Sequence, residues 1–150
     1  MDGDPVPAER RHAMITVLYI LGAVLLPLLI YVSFSARRSR YKYAEQFARD
    51  ITGLTYYDGK VMKYQDGFLF VIFRIEEEKK TVIQRCEVVR KFKKDQPVGI
   101  YFYENGPYVR AVPASGTVCE REYIKLTLIH LLTAWAAITD IILMILGIVL

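Results

Sequence analysis

Histidine and cysteine are both scarce in this sequence, which holds two of each among 150 residues. His12 and His130 are far apart and no CxxC pair occurs, so the ligand spacing of a structural zinc site is missing. Cys86 and Cys119 could form one disulfide, but one pair does not make the framework of a small secreted protein. We therefore predict two free thiols, with a single disulfide as the alternative.

The sequence signatures of common enzyme classes are also missing. There is no Gly-rich phosphate loop and no dinucleotide fingerprint, and both histidines lie outside the β-rich middle of the chain described below. Cys86 has no histidine near it in sequence to act as a base, so we interpret it as a packed strand residue. Glu76, Glu77 and Glu78 are interpreted as a solvated turn. The sequence predicts a protein that is not an enzyme, with no catalytic residue, no cofactor and no metal.

Long blocks of like charge are missing as well. The 20 Lys and Arg exceed the 16 Asp and Glu, for a formal net charge of +4, but the two signs are mixed along the middle of the chain. The most basic cluster, residues 90–94, contains one aromatic residue, and we interpret it as a solvated loop with anionic lipid as the alternative partner. No nucleic-acid partner is predicted.

What the sequence does contain is two long apolar runs. Residues 14–34 carry no charged side chain and are long enough to cross about 30 Å of hydrocarbon as a helix. Residues 124–150 form a second run, interrupted by Asp140. A cleaved signal peptide is the alternative for the first run, but the run is too long for one and no clean cleavage site follows it. We predict an integral membrane protein with transmembrane helices at 14–34 and 124–150.

Basic residues flank the inner ends of both apolar runs. A cluster of arginines follows the first run, and Arg121 and Lys125 precede or open the second, whereas the N-terminal tail, residues 1–13, offers Arg10 and Arg11. The positive-inside rule therefore predicts that the middle of the chain is cytoplasmic and that both termini lie on the opposite side of the membrane.

Residues 35–52 connect the first apolar run to the middle of the chain. They begin basic and then place Tyr43, Phe47 and Ile51 at four-residue spacing, which predicts a short amphipathic helix beside the membrane. Its basic side would contact anionic lipid headgroups, and a solvated helix with ordinary surface arginines is the alternative. The candidate headgroup contacts are Arg37, Arg38, Arg40 and Lys42.

Residues 53–122 are predicted to form a small β domain. Runs of aromatic and β-branched residues are separated by turn signals, among them Asp58-Gly59 and Asp66-Gly67. FLFVIF and IYFY are apolar on both faces, which indicates central strands, whereas the looser alternation of VIQRCEVV indicates an edge or one-faced strand. The predicted fold class is an α+β membrane protein in which two transmembrane helices flank a small antiparallel β-sheet or open barrel of five or six strands.

The stretch DQPVGIYFYENGPYVRAV, residues 95–112, resembles the end of a β-rich domain in a bacterial family of small uncharacterised membrane proteins. That domain commonly closes with Gly-Asp-x-Val-x-Val-x-Tyr, then Pro, Asn and a final strand. Lys94 replaces the family's usual Gly, Gly106 lengthens the turn, and the preceding FVIFRIEEEKKTVIQRCEVV is similar to the family's hairpin. The resemblance covers about residues 60–112 and implies a domain of unknown function in a bacterial plasma membrane, with no known activity. The residues that fall near the family's places are Asp95, Val98, Ile100, Tyr101, Asn105 and Pro107.

Asp140 is the residue that conflicts most with its surroundings. It lies about 22 Å along a helix from Lys125 and about 15 Å from the C-terminus, which places it in hydrocarbon or near its edge. A charged Asp near the centre costs about 2.5–3.5 kcal/mol, so such a residue is normally protonated, paired or turned towards protein. Snorkelling to the interface is the alternative. At helical spacing Asp140 shares one stripe with small residues, a pattern typical of helix contacts in lipid. The stripe is Thr133, Ala137, Asp140, Met144 and Gly147, with His130 at its rim.

The first apolar run offers hydroxyl groups to Asp140 but no cation, so we predict that the stripe contacts another subunit, either a protein partner or a second copy. The predicted function is a non-catalytic partner-binding, tethering or accessory subunit in the membrane. One alternative is a component of an oligomeric channel or transporter that uses Asp140 and His130. A second alternative is a membrane-anchored enzyme of unknown type.

Overall fold

The computed structural model describes residues 7–149 and shows two long helices flanking a five-stranded antiparallel sheet, which confirms the predicted fold class. Contacts divide the chain into two units. The helix unit holds the chain up to Ser39 and from Leu126 onward, and the β unit holds Arg40–Lys125. The elements are α1 (Ala8–Asp50), β1 (Thr55–Gln65), β2 (Phe68–Ile75), β3 (Lys80–Glu87), β4 (Pro97–Asn105), β5 (Tyr108–Pro113) and α2 (Val118–Val149).

Helix α1 runs for 43 residues without a break. It includes the predicted span at 14–34, part of the predicted tail and most of the predicted juxtamembrane helix, while residues 1–6 lie outside the described part of the chain. The segment after the span is rich in Ala, Arg, Lys, Glu and Gln, which are strong helix formers, so nothing interrupts the helix there. It ends at Asp50, where the amide of Leu54 bonds to the carbonyl of Ile51 in a closing turn.

Helix α2 spans 32 residues and begins six positions before the predicted start at 124. Its first turn is capped by side chains, because the hydroxyl of Thr117 accepts a hydrogen bond from the amide of Glu120 at 3.1 Å. The Glu120 carboxylate in turn accepts the amide of Gly116. This arrangement is a variant of the capping box, which satisfies amides that a helix N-terminus otherwise leaves unbonded.

The strands of the β unit lie in the order β3-β2-β1-β4-β5, with neighbouring strands antiparallel. The runs predicted to be central, FLFVIF and IYFY, fall in β2 and β4, which each have two neighbours, and VIQRCEVV falls in the edge strand β3. Charged side chains are exposed along that edge, at Lys80, Arg85 and Glu87. The two edge strands also approach each other, so the sheet curls into an open half-barrel.

One of the two Asp-Gly turn predictions is confirmed and the other is wrong. Asp66 and Gly67 have φ values of 51° and 82° and connect β1 to β2, as a two-residue hairpin turn requires. Gly59, by contrast, lies in the middle of β1, paired with Phe73 of β2 and Val98 of β4. A Cβ at Gly59 would lie 2.7 Å from Val71 Cγ1, so glycine here permits a close approach of two strands instead of a turn.

The core of the β unit is a cluster of buried apolar side chains from the strands and from the loop before β4. Its fully buried side chains are Val61, Leu69, Val71 and Ile100. Phe92 joins them from the loop before β4, although its neighbours in sequence are basic. Because buried side chains alternate with half-buried ones along most of β2 and β4, one face of each strand reaches this core.

Candidate functional site

Three polar side chains of the helix unit, Ser33, His130 and Asp140, lie where α1 and α2 contact each other. On α1 the buried residues are small: Gly22, Ser33 and Ala36. On α2 the predicted stripe is less exposed than the opposite face, with Ala137 buried and the other members half-buried. Trp135 and Ile142, by comparison, are exposed. Small residues at a contact let two helix backbones approach closely, which is how helices associate in lipid.

Ser33 and His130 form the polar contact nearest the β unit in sequence. Ser33 Oγ lies 2.8 Å from His130 Nδ1, and Nδ1 lies 3.0 Å from the Ser33 carbonyl oxygen. A carbonyl oxygen can only accept, so this second contact places the ring proton on Nδ1. The Thr133 hydroxyl, one turn further on, donates to the carbonyls of Ile129 and His130 in its own helix. Ser33 is therefore the α1 partner of His130, and Thr133 is satisfied locally.

Asp140 lies against Gly22 of α1. Its Oδ1 atom is 2.8 Å from the position that a Cβ on Gly22 would occupy, so a larger residue at 22 would displace the carboxyl group. The second oxygen, Oδ2, is buried and has no hydrogen-bond partner among residues 7–149. A buried carboxyl oxygen without a partner is costly, particularly where water is excluded.

The last two stripe residues contact Tyr19. The Tyr19 hydroxyl donates to the carbonyl of Met144, and a Cβ on Gly147 would lie 3.0 Å from the Tyr19 ring. The position of Tyr19 near the end of the apolar run also suits a headgroup contact, but its hydroxyl bonds to α2. The pairing of Tyr19 and Gly22 with the stripe was missed in the sequence, because it depends on the register between two helices that are far apart in the chain.

A cavity of about 370 Å³ opens between the two helices at this point. We call it the Asp140 groove. Apart from Asp140 and Tyr19 its lining is apolar and includes Leu18, Leu21, Leu25 and Leu143. The groove therefore presents one carboxyl group in an apolar wall, which suits an apolar segment that carries one complementary polar group.

The predicted headgroup residues differ in exposure. Arg37, Arg38 and Lys42 are exposed. Arg40 is half-buried, and its guanidinium lies 5.3 Å from the Tyr41 ring centre and 5.6 Å from that of Tyr123. Such distances allow cation–π attraction, so Arg40 is engaged with aromatic rings of the β unit. Three of the four predicted headgroup residues are therefore exposed, and the fourth is engaged within the β unit.

The β unit has its own open cavity of about 620 Å³, lined by residues of β1, β2, β3 and β4. Tyr56, Asp58, Lys60 and Arg74 contribute polar groups to it. The Tyr56 hydroxyl donates to Asp58 at 3.1 Å, and this bond to a carboxylate raises the pKa of Tyr56. The raised pKa keeps Tyr56 in its neutral phenol form at neutral pH.

The two cysteines are both free, as predicted. Cys86 is buried in the core of the β unit, and burial raises the pKa of its thiol to about 11. The thiolate is the reactive form of cysteine, so Cys86 is chemically quiet at neutral pH, in agreement with its interpretation as a packed strand residue. Among residues 7–149 no group of three or more His, Cys, Asp or Glu side chains could hold a metal ion.

Comparisons of the chain with protein-family models, curated proteins and solved structures find no match. The resemblance of residues 60–112 to the bacterial membrane-protein family therefore stays a prediction. In the described part of the helix unit, the buried side-chain atom without a hydrogen-bond partner is Oδ2 of Asp140.

Proposed function

We propose that this protein is an integral membrane protein with two spans that serves as a non-catalytic accessory or tethering subunit. In this proposal α1 and α2 cross the bilayer, and the Asp140 groove binds a segment of a partner protein. The β unit would be the part that the helices anchor.

The exposure of the helices supports the membrane part of the proposal. Both are long and apolar enough to cross a membrane, and 6% of the most apolar window of each is buried within the protein. Large side chains such as Val24, Leu132 and Trp135 are each 69% exposed. A helix in a soluble core buries such residues, whereas lipid is an apolar solvent that accepts them on the outside.

The distribution of basic residues supports a cytoplasmic location for the β unit. Arg37, Arg38 and Lys42 are exposed just beyond the first span, where they would meet anionic headgroups of the cytoplasmic leaflet. The positive-inside rule then places both termini on the other side. The family resemblance in residues 95–112 favours a bacterial plasma membrane.

The single observation that carries the proposal is the buried, unpartnered Oδ2 of Asp140 at the wall of an open groove. In hydrocarbon, no water is available to satisfy such an atom, so a group supplied from outside the chain would lower its free energy. A second protein that inserts a polar group into the groove would therefore be held there by a directional interaction.

Photo-crosslinking in native membranes tests the proposal. A photoreactive amino acid replaces Leu21, which lines the groove, or Leu132, which is exposed on α2 and does not line it. We expect one discrete protein adduct from position 21, only lipid adducts from position 132, and loss of the protein adduct when Asp140→Leu is added. Far-UV circular dichroism of the purified variant checks that it is still folded.

The outcomes separate the three functional classes. Equal adduct patterns at both positions would refute docking in the groove. Ion flux into liposomes from the purified chain alone, abolished by Asp140→Leu, would instead favour the channel or transporter alternative. Formation of a small-molecule product by the purified chain, lost on Tyr56→Phe, would favour a membrane-anchored enzyme that uses the cavity of the β unit.

A further inference from the structure

The charge balance around the Asp140 groove indicates what kind of partner it takes. The ion pairs in residues 7–149 are Arg74–Glu76, Lys80–Glu104 and Arg121–Glu122, all within the β unit. Asp140 takes part in none of them. The nearest cationic candidate on its own helix, His130, is ten positions away and bonded to Ser33. The acid of the groove is thus left without a counter-charge from the described residues of its own unit.

The shape of the groove further limits which kind of partner segment can bind in it. Gly22 leaves room for the carboxyl group beside α1, and the surrounding wall is formed by leucines, among them Leu18, Leu21 and Leu25. A polar loop would leave its backbone groups unsatisfied in such a wall, whereas a helix satisfies them internally. The occupant that fits is an apolar helix bearing one group that complements a carboxylate.

A second copy of this chain does not supply that group. Residues 14–34 contain no charged residue, and after Lys125 the second apolar run contains Asp140 as its one charged side chain. If two copies joined through the groove, Asp140 of one copy would face either Asp140 or His130 of the other. His130 is already bonded to Ser33. Opposite charge at membrane depth has to come from another protein.

We infer that the Asp140 groove binds a transmembrane helix of another protein through a lysine or arginine that pairs with Asp140 within the bilayer. This inference rests on the proposed docking function and adds the chemistry of the partner. Basic residues inside membranes are rare and are usually paired, so a single such residue in an apolar helix gives the partner its specificity. Asp140 is the recognition residue, and the leucine wall provides the packing surface.

Defined peptides test the inference without knowledge of the natural partner. The full chain is reconstituted in lipid nanodiscs with synthetic leucine-alanine transmembrane peptides that carry a dansyl acceptor and either one central lysine or a leucine at that position. Energy transfer from Trp135, the one tryptophan of the chain, reports binding. We expect the lysine peptide to bind about three- to thirtyfold more tightly than the leucine peptide, the range expected for a polar contact between helices.

Matched variants assign the preference to Asp140. Asp140→Asn keeps the size of the side chain and removes its charge, and it should reduce the preference for lysine to near onefold. Asp58→Asn, the same change in the β unit, should leave the preference unchanged. Circular dichroism of both variants confirms folding, and intact energy transfer to the leucine peptide would show that the groove is still formed.

Several results would overturn the inference. Equal binding of the two peptides, or a lysine preference that survives Asp140→Asn, would refute the charge pair. If dimers of the chain excluded both peptides, the occupant of the groove would be a second copy. If dodecylamine displaced the lysine peptide at equal concentration, the occupant would be a small amine. A protein adduct at position 21 without any lysine preference would support the docking function and reject the basic partner. A lysine preference without a protein adduct at position 21 would reject the docking function in native membranes.

Discussion

The β unit and the helix unit place their apolar side chains in opposite ways. In the β unit Leu69 and Ile100 are fully buried, and charged residues such as Arg85 are exposed. In the helix unit Leu132 and Trp135 are exposed, while Ser33 and the carboxyl group of Asp140 lie at the contact between helices. One unit buries its large apolar side chains, and the other exposes them and has polar groups at its internal contact.

This difference indicates that two kinds of interaction stabilise the two units. Burial of apolar area from water stabilises the β unit. In lipid that contribution vanishes between helices, because a leucine is equally well solvated by lipid and by protein. Close packing at Gly22 and hydrogen bonds such as Ser33 to His130 then have to supply the specificity of the helix contact.

The same substitution in both units should reveal the difference most strongly. Leu69→Ala removes a fully buried side chain and should lower the free energy of unfolding of the β unit by about 2–5 kcal/mol. Leu132→Ala, at a side chain that is 69% exposed, should change the stability of the helix unit by about 0.5 kcal/mol or less. Hydrogen exchange of β2 amides and detergent-micelle unfolding of the helices measure the two effects.

A comparable loss of stability at both positions would contradict this difference between the units, because it would show that Leu132 is also packed against protein. Both measurements use the full chain, with detergent micelles in place of lipid around the helices.

The reactivity of Cys86 tests how dry the interior of the β unit is. Burial raises the pKa of its thiol from 9.0 to about 11, so the thiolate fraction at pH 8 should fall about a hundredfold below that of an ordinary cysteine. Alkylation of Cys86 should therefore be slow at pH 8 and should accelerate as pH rises towards 11. Mass spectrometry of iodoacetamide adducts follows the rate, with Cys119, which is half-buried, as the internal reference.

Rapid alkylation of Cys86 at pH 8 in the folded chain would contradict a dry core. The same measurement in urea gives the unfolded rate and shows how much of the protection comes from the fold.

A small effect is expected at the polar contact of the helix unit. Ser33→Ala removes the hydroxyl that contacts His130 and should weaken the association of α1 with α2 by about 0.6 kcal/mol, with about 1.7 kcal/mol as the upper end. A double-mutant cycle with His130→Ala, measured by SDS titration in mixed micelles through Trp135 fluorescence, isolates the coupling between the two side chains. Additive single effects would show that their contact contributes no coupling.

Much of the architecture was accessible from the sequence because its signals are local. Continuous apolar runs indicated both long helices, and Asp66-Gly67 indicated the first hairpin turn, since a two-residue turn needs positive φ at both positions. The start of α2 was missed although Thr117 and Glu120 have the spacing of a capping box. That signal was present in the sequence and could have been used.

Other features depend on contacts that are distant in the chain, and sequence alone does not supply them. Gly59 looked like a turn residue, but it lies inside β1 because Val71 approaches it from the neighbouring strand. Phe92 lies in a basic loop that looked solvated, yet its ring completes the core of the β unit. For the candidate site, periodicity identified the stripe around Asp140, whereas its contacts with Tyr19 and Gly22 required the register of two helices.

The charges along β3 have a consequence for the behaviour of many copies of this protein together. An edge strand offers free backbone amides and carbonyls to which another chain can add, and this is how folded domains are recruited into fibrils. Here Lys80, Arg85 and Glu87 project beside that edge. An incoming strand would have to bury or neutralise them, so these charges oppose the addition of another chain at this edge.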